Sequence, residues 1–379
     1  MTCPRILHCH STFALGGKEA RAVRLMNAFG SNAEHVILSA VPDALSAREA
    51  INPDVRVAFP GDAAPALHGT PGLRRYRSLA AYMREFDLVL TYNWGAMDAV
   101  GARRMFGRNS PALIHHEDGF NADEVQSLNW KRNFFRQLTL GAATHLVVPS
   151  RRLQSIAALH WRRPDAIRIP NGINTSLFSQ APEPGSIPGL MRQAGDIVIG
   201  TVAGLRTVKN LPRLVRTVAP LGGHVKLVVV GEGPERETIL AEAQRVGMTH
   251  RLVMPGFLAD PHRFLGHFDV FALTSDSEQF PISLVEAMAA GLPVVSTDVG
   301  DVRNIVSAAN QPLVVAASRE ADFTNALGRL CDDAALRKML GEANRALAQS
   351  AYAEDDMIKA YAALYEAAIG QAGALFPQR

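Results

Sequence analysis

Residues 270–299 read VFALTSDSEQFPISLVEAMAAGLPVVSTDV, and this stretch decides the fold class. Val270–Thr274 is a short apolar run that stops at the polar cluster Ser275–Gln279. Such a run suits a strand buried on both faces rather than an alternating, half-exposed one. Pro281 then suits the first turn of a helix, where its missing N–H costs nothing, and a helical pattern follows over Ile282–Ala290. Pro293–Thr297 is a second apolar run of strand length. Strand, helix and strand in this order make a βαβ unit, and βαβ units imply a parallel sheet.

The same alternation runs outward in both directions. In the first half, strands are expected at Arg5–His10, His35–Ser39, Leu88–Thr91, Ala112–His115 and His145–Pro149. In the second half they fall at Ile197–Ala203, Lys226–Gly231, Leu252–Gly256 and Leu313–Ala316, besides the two already named. Helical patterns over Lys18–Phe29, Leu211–Ala219 and Glu235–Val246 lie between them. Asn171–Leu190, NGINTSLFSQAPEPGSIPGL, is dense in Pro, Gly and Ser and reads as a linker. The expected class is α/β, with two doubly wound, Rossmann-like domains at 1–172 and 190–352 facing a central cleft. The last helix, about 353–370, is amphipathic, which fits packing back on the first domain.

Length and composition agree. The chain has 379 residues, comfortable for two domains, and 47% hydrophobic against 20% charged residues, which excludes a disordered chain. Cys3, Cys9 and Cys331 form neither a CxxC pair nor an even set. That argues against a disulfide framework or a zinc site and suits a reducing, cytoplasmic compartment. The N-terminus already reads as a strand and loop, and no run approaches 18 apolar residues, so neither a signal peptide nor a spanning helix is expected. Net charge is +3 but uneven: residues 1–180 carry 21 Lys+Arg against 14 Asp+Glu, a balance of +7, and the rest carry −4. Clusters at Arg74, Arg75, Arg77 and at Lys131, Arg132, Arg136 lie in the basic half. They are either solvated surface or a face for an anionic partner, lipid headgroups or a phosphorylated acceptor. No nucleic-acid motif accompanies them.

From Phe280 to Val295 the only ionisable residue is Glu286. A carboxylate in so apolar a helix needs a partner, and a sugar diol offers two hydroxyl donors. The backbone N–H groups of Ile282 and Ser283, at the start of the helix, suit a diphosphate. Glu278, in the loop entering that helix, can hydrogen-bond a sugar ring. A surface Glu beside a structurally paired Glu is the plain alternative.

Glu278-x7-Glu286, embedded in SEQFPISLVEAMAAGLPVVSTDVGDVRNIV, resembles the donor-binding signature of the family-4 retaining glycosyltransferases, the group 1 enzymes of GT-B fold. The resemblance implies that Glu278 contacts the donor sugar, that Glu286 binds the ribose hydroxyls, and that Phe280, Pro281, Ile282 and Ser283 hold the distal phosphate. IGTVAGLRTVKNLPRLVRTV, Ile199–Val218, resembles the family segment whose Arg and Lys clasp the diphosphate. Lys209 falls on the family's Lys. The family's Arg position, five residues earlier, is Gly204 here, and Arg206 is the nearest substitute. Two cations there would stabilise the charge on a departing diphosphate. FALGGKEARAVRLMNAF matches the family's first βα loop, where Gly16 and Gly17 let backbone approach a phosphate or acceptor closely. ALIHHEDGF, Ala112–Phe120, covers the stretch where a family His faces the reacting sugar; the nearest histidines are His115 and His116, and His116 is assigned that role. The alignment itself falls on Glu117 or Asp118. VVVGEGPERE, Val228–Glu237, carries Gly-x-Gly near the expected nucleotide, and IPNGIN resembles the hinge into the second domain.

The resemblance implies transfer of a sugar from a UDP- or GDP-linked donor to an acceptor hydroxyl with retention of configuration, in polysaccharide, lipopolysaccharide or glycolipid synthesis. No Asp-x-Asp occurs, so no metal and no cofactor beyond the nucleotide-sugar are expected. The acceptor is a glycan or lipid-linked, and NWKRNFFRQLTL, Asn129–Leu140, could rest as an amphipathic helix on the inner membrane face. Two rival readings fit the same pattern: a nucleotide-sugar epimerase or hydrolase of this fold, and a non-catalytic nucleotide-sugar-binding subunit, which the Gly204 position favours.

Overall fold

A computed structural model of the protein describes residues 3–69, 72–107, 109–120 and 129–376. They divide into two compact units, one from Met1–Asn171 with Asp355–Arg379, the other Gly172–Glu354.

The first unit alternates strand and helix in chain order. Its elements are β1 (Arg5–His10), α1 (Gly17–Phe29), β2 (Glu34–Ser39), β3 (Arg56–Ala58), α2 (Leu73–Met83), β4 (Leu88–Tyr92), α3 (Met97–Phe106), β5 (Ala112–His116), α4 (Trp130–Thr139), β6 (His145–Val148), α5 (Arg151–His160) and β7 (Ile167–Arg168). All strands pair in parallel, in the order β3-β2-β1-β4-β5-β6-β7. The order reverses between β1 and β4, so the loops leaving those strands diverge to opposite sides there. Both sheet faces are covered. Leu7, Cys9, Val89, Leu113 and Leu146 pack with α2, α3 and α5, while Ile6, Leu88, Leu90, Ile114 and Val147 pack on the opposite face.

The second unit repeats the plan. It contains β8 (Ile197–Val202), α6 (Leu211–Val218), β9 (Val225–Val230), α7 (Arg236–Arg245), β10 (Leu252–Gly256), β11 (Val270–Leu273), α8 (Ile282–Ala289), β12 (Val294–Thr297), α9 (Val302–Ile305), β13 (Val314–Val315), α10 (Glu320–Asp332) and α11 (Ala334–Ala351). Its six strands run β10-β9-β8-β11-β12-β13, again parallel, with the reversal between β8 and β11.

The final helix, α12 (Glu354–Ile369), belongs to the first unit. Its inward stripe of Met357, Ile358, Tyr361, Ala362 and Tyr365 follows helical spacing and closes over Ile6, Leu90 and Ile114. Each large apolar side chain buried there contributes roughly 1.5–3 kcal/mol. The Pro/Gly-rich segment is not a free tether. Ile173, Phe178 and Ile187 enter the core of the second unit, and Ile173 pairs with Ala353. Its turn residues shape a packed arm, so the second unit begins at Gly172 rather than near residue 190.

Candidate functional site

In the second unit the site grows from the two loops at the strand-order reversal. The loop after β8 ends in a tight turn over Thr207–Lys209, closed by Asn210 at φ 44°, a left-handed conformation that Asn tolerates. The loop after β11 is tied to it by backbone: Asp276 N–H donates to the Val208 carbonyl at 2.8 Å, and Asn210 Nδ2 donates to the Asp276 carboxylate at 3.0 Å. Thr274 Oγ1 donates to the Lys209 carbonyl at 3.2 Å. These bonds bring Lys209 Nζ to 2.5 Å from Glu278 Oε1, and Ser275 Oγ donates to the same oxygen at 2.7 Å. The two charged side chains keep only 17% and 9% of their surface exposed. Behind them, Gly300 at φ +60° passes so close that a Cβ would lie 2.1 Å from the Glu278 carbonyl oxygen. Only glycine permits that approach.

Arg206 is exposed, and its side chain folds back toward Gly204, with Nε 3.6 Å from where a Cβ on that glycine would stand. A guanidinium therefore occupies the space beside the Gly204 backbone. The Gly-x-Gly after β9 has a specific use. A Cβ on Gly231, at φ +139°, would fall 1.9 Å from the Ala203 carbonyl oxygen. The loops after β8 and β9 thus stack backbone to backbone, and Leu205 N–H donates to the Glu232 carbonyl at 2.9 Å. Beside them, a cavity of about 400 Å³ is lined by Gly204, Gly231, Glu232, Phe257, Leu258 and Asp260, among others.

Helix α8 starts at Ile282, with Pro281 as its N-cap and no capping side chain. Leu284 N–H donates to the Pro281 carbonyl at 3.2 Å, and the N–H groups of Ile282 and Ser283 have no acceptor within the helix. Leu284, Val285 and Ala287–Ala289 are buried, whereas Ile282, Ser283 and Glu286 are half-buried and share one face. Glu286 thus lies one turn behind the helix start on its accessible stripe. The Phe280 side chain points the other way, packed edge-on against Tyr352 at 5.6 Å, so only its backbone is available to a ligand.

The first unit departs from the sequence reading. His116 is buried and both ring nitrogens are engaged, Nδ1 with the Thr91 carbonyl at 3.2 Å and Nε2 with the Tyr365 hydroxyl at 2.9 Å. Burial, and then the nearby Arg21 charge, hold it well below the usual histidine range, so it is a neutral ring stacked on Tyr92. His116 does not reach an accessible surface and cannot meet a sugar in this arrangement. Its neighbours are committed as well. His115 Nδ1 bonds Thr91 Oγ1 at 2.8 Å, and Glu117 accepts from Arg136 Nε at 3.0 Å, both side chains fully buried. Burial alone would raise the Glu117 carboxyl; Arg136 and His115 override it and hold it low. Asp118 takes the buried Arg21 guanidinium. The four ionisable residues in a row anchor the end of β5 from within.

Gly16 is the N-cap of α1 and Gly17 its first residue, both exposed. A Cβ on Gly16 would lie 2.9 Å from Glu19 Oε2, so the helix start already carries the buried Glu19 carboxylate, which Lys18 pairs. An incoming phosphate would meet that charge. The basic clusters are also partly internal: Arg75 bonds Asp98 at 2.6 Å and Arg136 is the buried partner of Glu117.

Sequence reasoning did not single out a cavity of about 660 Å³ beside the β1/β4 reversal, lined by Lys18, Tyr76, Trp94, Asp98, Lys131 and Arg132 among others. The available signal was Asn93-Trp94-Gly95 directly after a strand, where an α/β sheet presents its ligand loops. Among the described residues no group of three or more His, Cys, Asp or Glu could hold a metal ion, and no helix is long and apolar enough to cross a membrane.

Residues 188–347 match the family described as glycosyl transferases group 1, and residues 15–177 match glycosyltransferase family 4. The 2-deoxystreptamine glucosyltransferase of Streptomyces kanamyceticus is 30% identical over 151 residues, 39% of this chain and 39% of that protein. The N-acetyl-alpha-D-glucosaminyl L-malate synthase of Bacillus anthracis is 25% identical over 166 residues, 43% of this chain and 44% of that one. The chain thus spans less than half the length of these curated relatives. HepE from Anabaena, crystallised in complex with UDP, superposes with a TM-score of 0.79 at 19% identity, over 96% of this chain and 100% of its own. The two family matches, in chain order over both units and with the shared architecture, place the protein among the group 1, family-4 glycosyltransferases of GT-B fold.

Proposed function

We propose that the protein transfers a glycosyl group from a UDP- or GDP-linked sugar to an acceptor hydroxyl, with retention of configuration and without a metal ion. The observation that carries this reading is the pairing of Lys209 with Glu278 beside the uncapped start of α8, at the strand-order reversal of the second unit. A cation, a carboxylate and free backbone donors together suit a diphosphate joined to a sugar. Lys209 and Arg206 bind the diphosphate, helped by the Ile282 and Ser283 N–H groups. Glu278 accepts from the sugar hydroxyls and Glu286 from the ribose diol. The 400 Å³ cavity takes the base. That HepE binds UDP on the same fold supports a nucleotide donor.

In the reaction the bond from the anomeric carbon to the diphosphate oxygen breaks. The acceptor oxygen bonds that carbon on the same face, and its proton passes to the departing phosphate. Lys209, Arg206 and the helix start stabilise the charge that develops there. The first unit supplies the acceptor side. The acceptor is a glycan or lipid-linked, made in polysaccharide, lipopolysaccharide or glycolipid synthesis. Contact with the inner membrane face rests on α4, whose Trp130, Phe134 and Leu138 form an exposed apolar stripe at helical spacing beside Lys131.

A panel of UDP- and GDP-sugars is incubated with glycan and lipid-linked acceptors in the presence of EDTA, and nucleotide release and product anomeric configuration are followed by NMR. Acceptor-dependent release with a retained anomeric centre is expected. Release without acceptor would favour a hydrolase, conversion of the donor sugar an epimerase, and donor binding without turnover the binding subunit that Gly204 suggests.

A further inference from the structure

The cavity beside the β1/β4 reversal has a composition of its own. One wall is aromatic: Trp94 meets Phe135 edge-on at 5.6 Å, and the Tyr76 ring is held by its hydroxyl, which donates to Asp98 at 2.7 Å. Another wall is cationic. Lys131 and Arg132 project from the first turn of α4, where Asn129 caps both of their N–H groups and so fixes the start of the helix. The Arg132 and Arg136 guanidinia lie over the Trp94 ring, at 5.5 and 5.2 Å, and Arg132 thereby joins the two walls. Among the described residues of the lining the one carboxylate, Asp98, is matched by Arg75 at 2.6 Å and by Tyr76. At about 660 Å³ the space holds one or two sugar rings.

Ring faces suit the C–H face of a sugar, and a pair of cations beside them suits an anion on or next to that sugar. Resting on the glycosyl-transfer reading above, we infer that this cavity binds an acceptor glycoside carrying a phosphate or carboxylate. Lys131 and Arg132 read the anion, and the aromatic wall of Trp94, Tyr76 and Phe135 packs against the ring. The acceptor is then supplied by a reaction that phosphorylates a sugar, links it to a phosphate carrier or oxidises it to a uronic acid.

The test is calorimetric titration of the full chain with three probes: glucose 1-phosphate, methyl glucuronide and uncharged methyl glucoside. Both anionic probes should bind at least about tenfold more tightly than the neutral one at low salt, and the advantage should shrink as sodium chloride rises. The preferred anion separates a phosphate from a carboxylate acceptor. Lys131→Gln with Arg132→Gln should reduce the anionic probes to the affinity of the neutral one. Trp94→Leu should weaken all three alike. UDP or GDP binding retained by each variant shows that the chain is folded. Equal affinity for the three probes, no binding by any of them, or an anionic advantage that survives the double substitution overturns the inference. Binding of the anionic probes with no sugar transfer to any acceptor would instead overturn the proposed function and leave this site standing.

Discussion

Replacing Glu278 by Gln separates the roles assigned to the donor site, because it should strengthen one ligand and weaken another. In the structure Glu278 holds Lys209 at 2.5 Å, with the two side chains 9% and 17% exposed. An exposed pair contributes at most about 1 kcal/mol and loss of one partner from a fully buried pair costs about 3–5 kcal/mol, so this one lies between, at about 1–2 kcal/mol. A bare nucleoside diphosphate must draw Lys209 away from that carboxylate and also tolerate its charge. Glu278→Gln removes the competitor while Ser275 still finds an acceptor. UDP or GDP, whichever binds, should therefore bind about 5–30-fold more tightly. The matching nucleotide-sugar loses a charge-assisted hydrogen bond to its hydroxyls, about 1.5–3 kcal/mol. Its affinity relative to the bare nucleotide should fall about tenfold or more, with a drop in kcat. Calorimetry with both ligands, on the single variant and on Lys209→Ala with Glu278→Gln, reads the coupling: once Lys209 is gone, Glu278→Gln should bring no gain. If nucleotide affinity is unchanged or weaker in Glu278→Gln, Lys209 is not shared between the carboxylate and the diphosphate.

Three other outcomes follow from the same structure. Gly231→Ala places a methyl 1.9 Å from the Ala203 carbonyl oxygen, so urea unfolding should show a loss of about 2 kcal/mol or more together with weaker nucleotide binding; Gly223→Ala, whose methyl meets nothing within 4 Å, should leave both unchanged. Arg136→Met strands the buried Glu117 carboxylate and should cost about 3–5 kcal/mol by denaturant titration, most of it recovered when Glu117→Gln is added. Burial holds His8, His10 and His116 below the ordinary value of 6.5 and takes His35 to about 4. Their folded values lie below the unfolded one, so stability is intact above pH 6.5 and is lost as pH falls toward 4, by up to about 1.4 kcal/mol per pH unit for each ring. His10→Phe, filling the slot between Phe13 and Tyr92, should remove one proton from that slope; an unchanged acid-unfolding profile would contradict it.

The reach of the sequence can be read from particular residues. The βαβ pattern over residues 270–299 was legible because strands buried on both faces form continuous apolar runs, and β11, α8 and β12 lie where that pattern places them. The short edge strands β3 and β7, three and two residues long, carry too little pattern to be seen. Glu286 stood out because nothing else near it ionises, and it does lie on the accessible face of α8. His116 misled for a related reason. In a sheet covered on both sides, polar side chains at a strand end are as enclosed as apolar ones, and only the partners show it: Tyr365, from a helix 249 residues later in the chain, takes its Nε2. The Pro-rich arm misled because the same residues that make linkers also make packed turns, and burial of Phe178 and Ile187 is not visible in local composition. Gly300 against Glu278 and Gly231 against Ala203 are contacts between separate loops, which spacing along the chain does not encode.

The loops after β8 and β11, with the start of α8, are expected to hold a nucleotide-sugar. Titrating the full chain with UDP- and GDP-sugars, before and after Glu286→Ala, measures this directly. The site described here predicts saturable binding of at least one donor and a loss of about tenfold or more in Glu286→Ala, from the ribose hydroxyls left unpaired. Binding that is indifferent to Glu286→Ala, or absent across the panel, would contradict it.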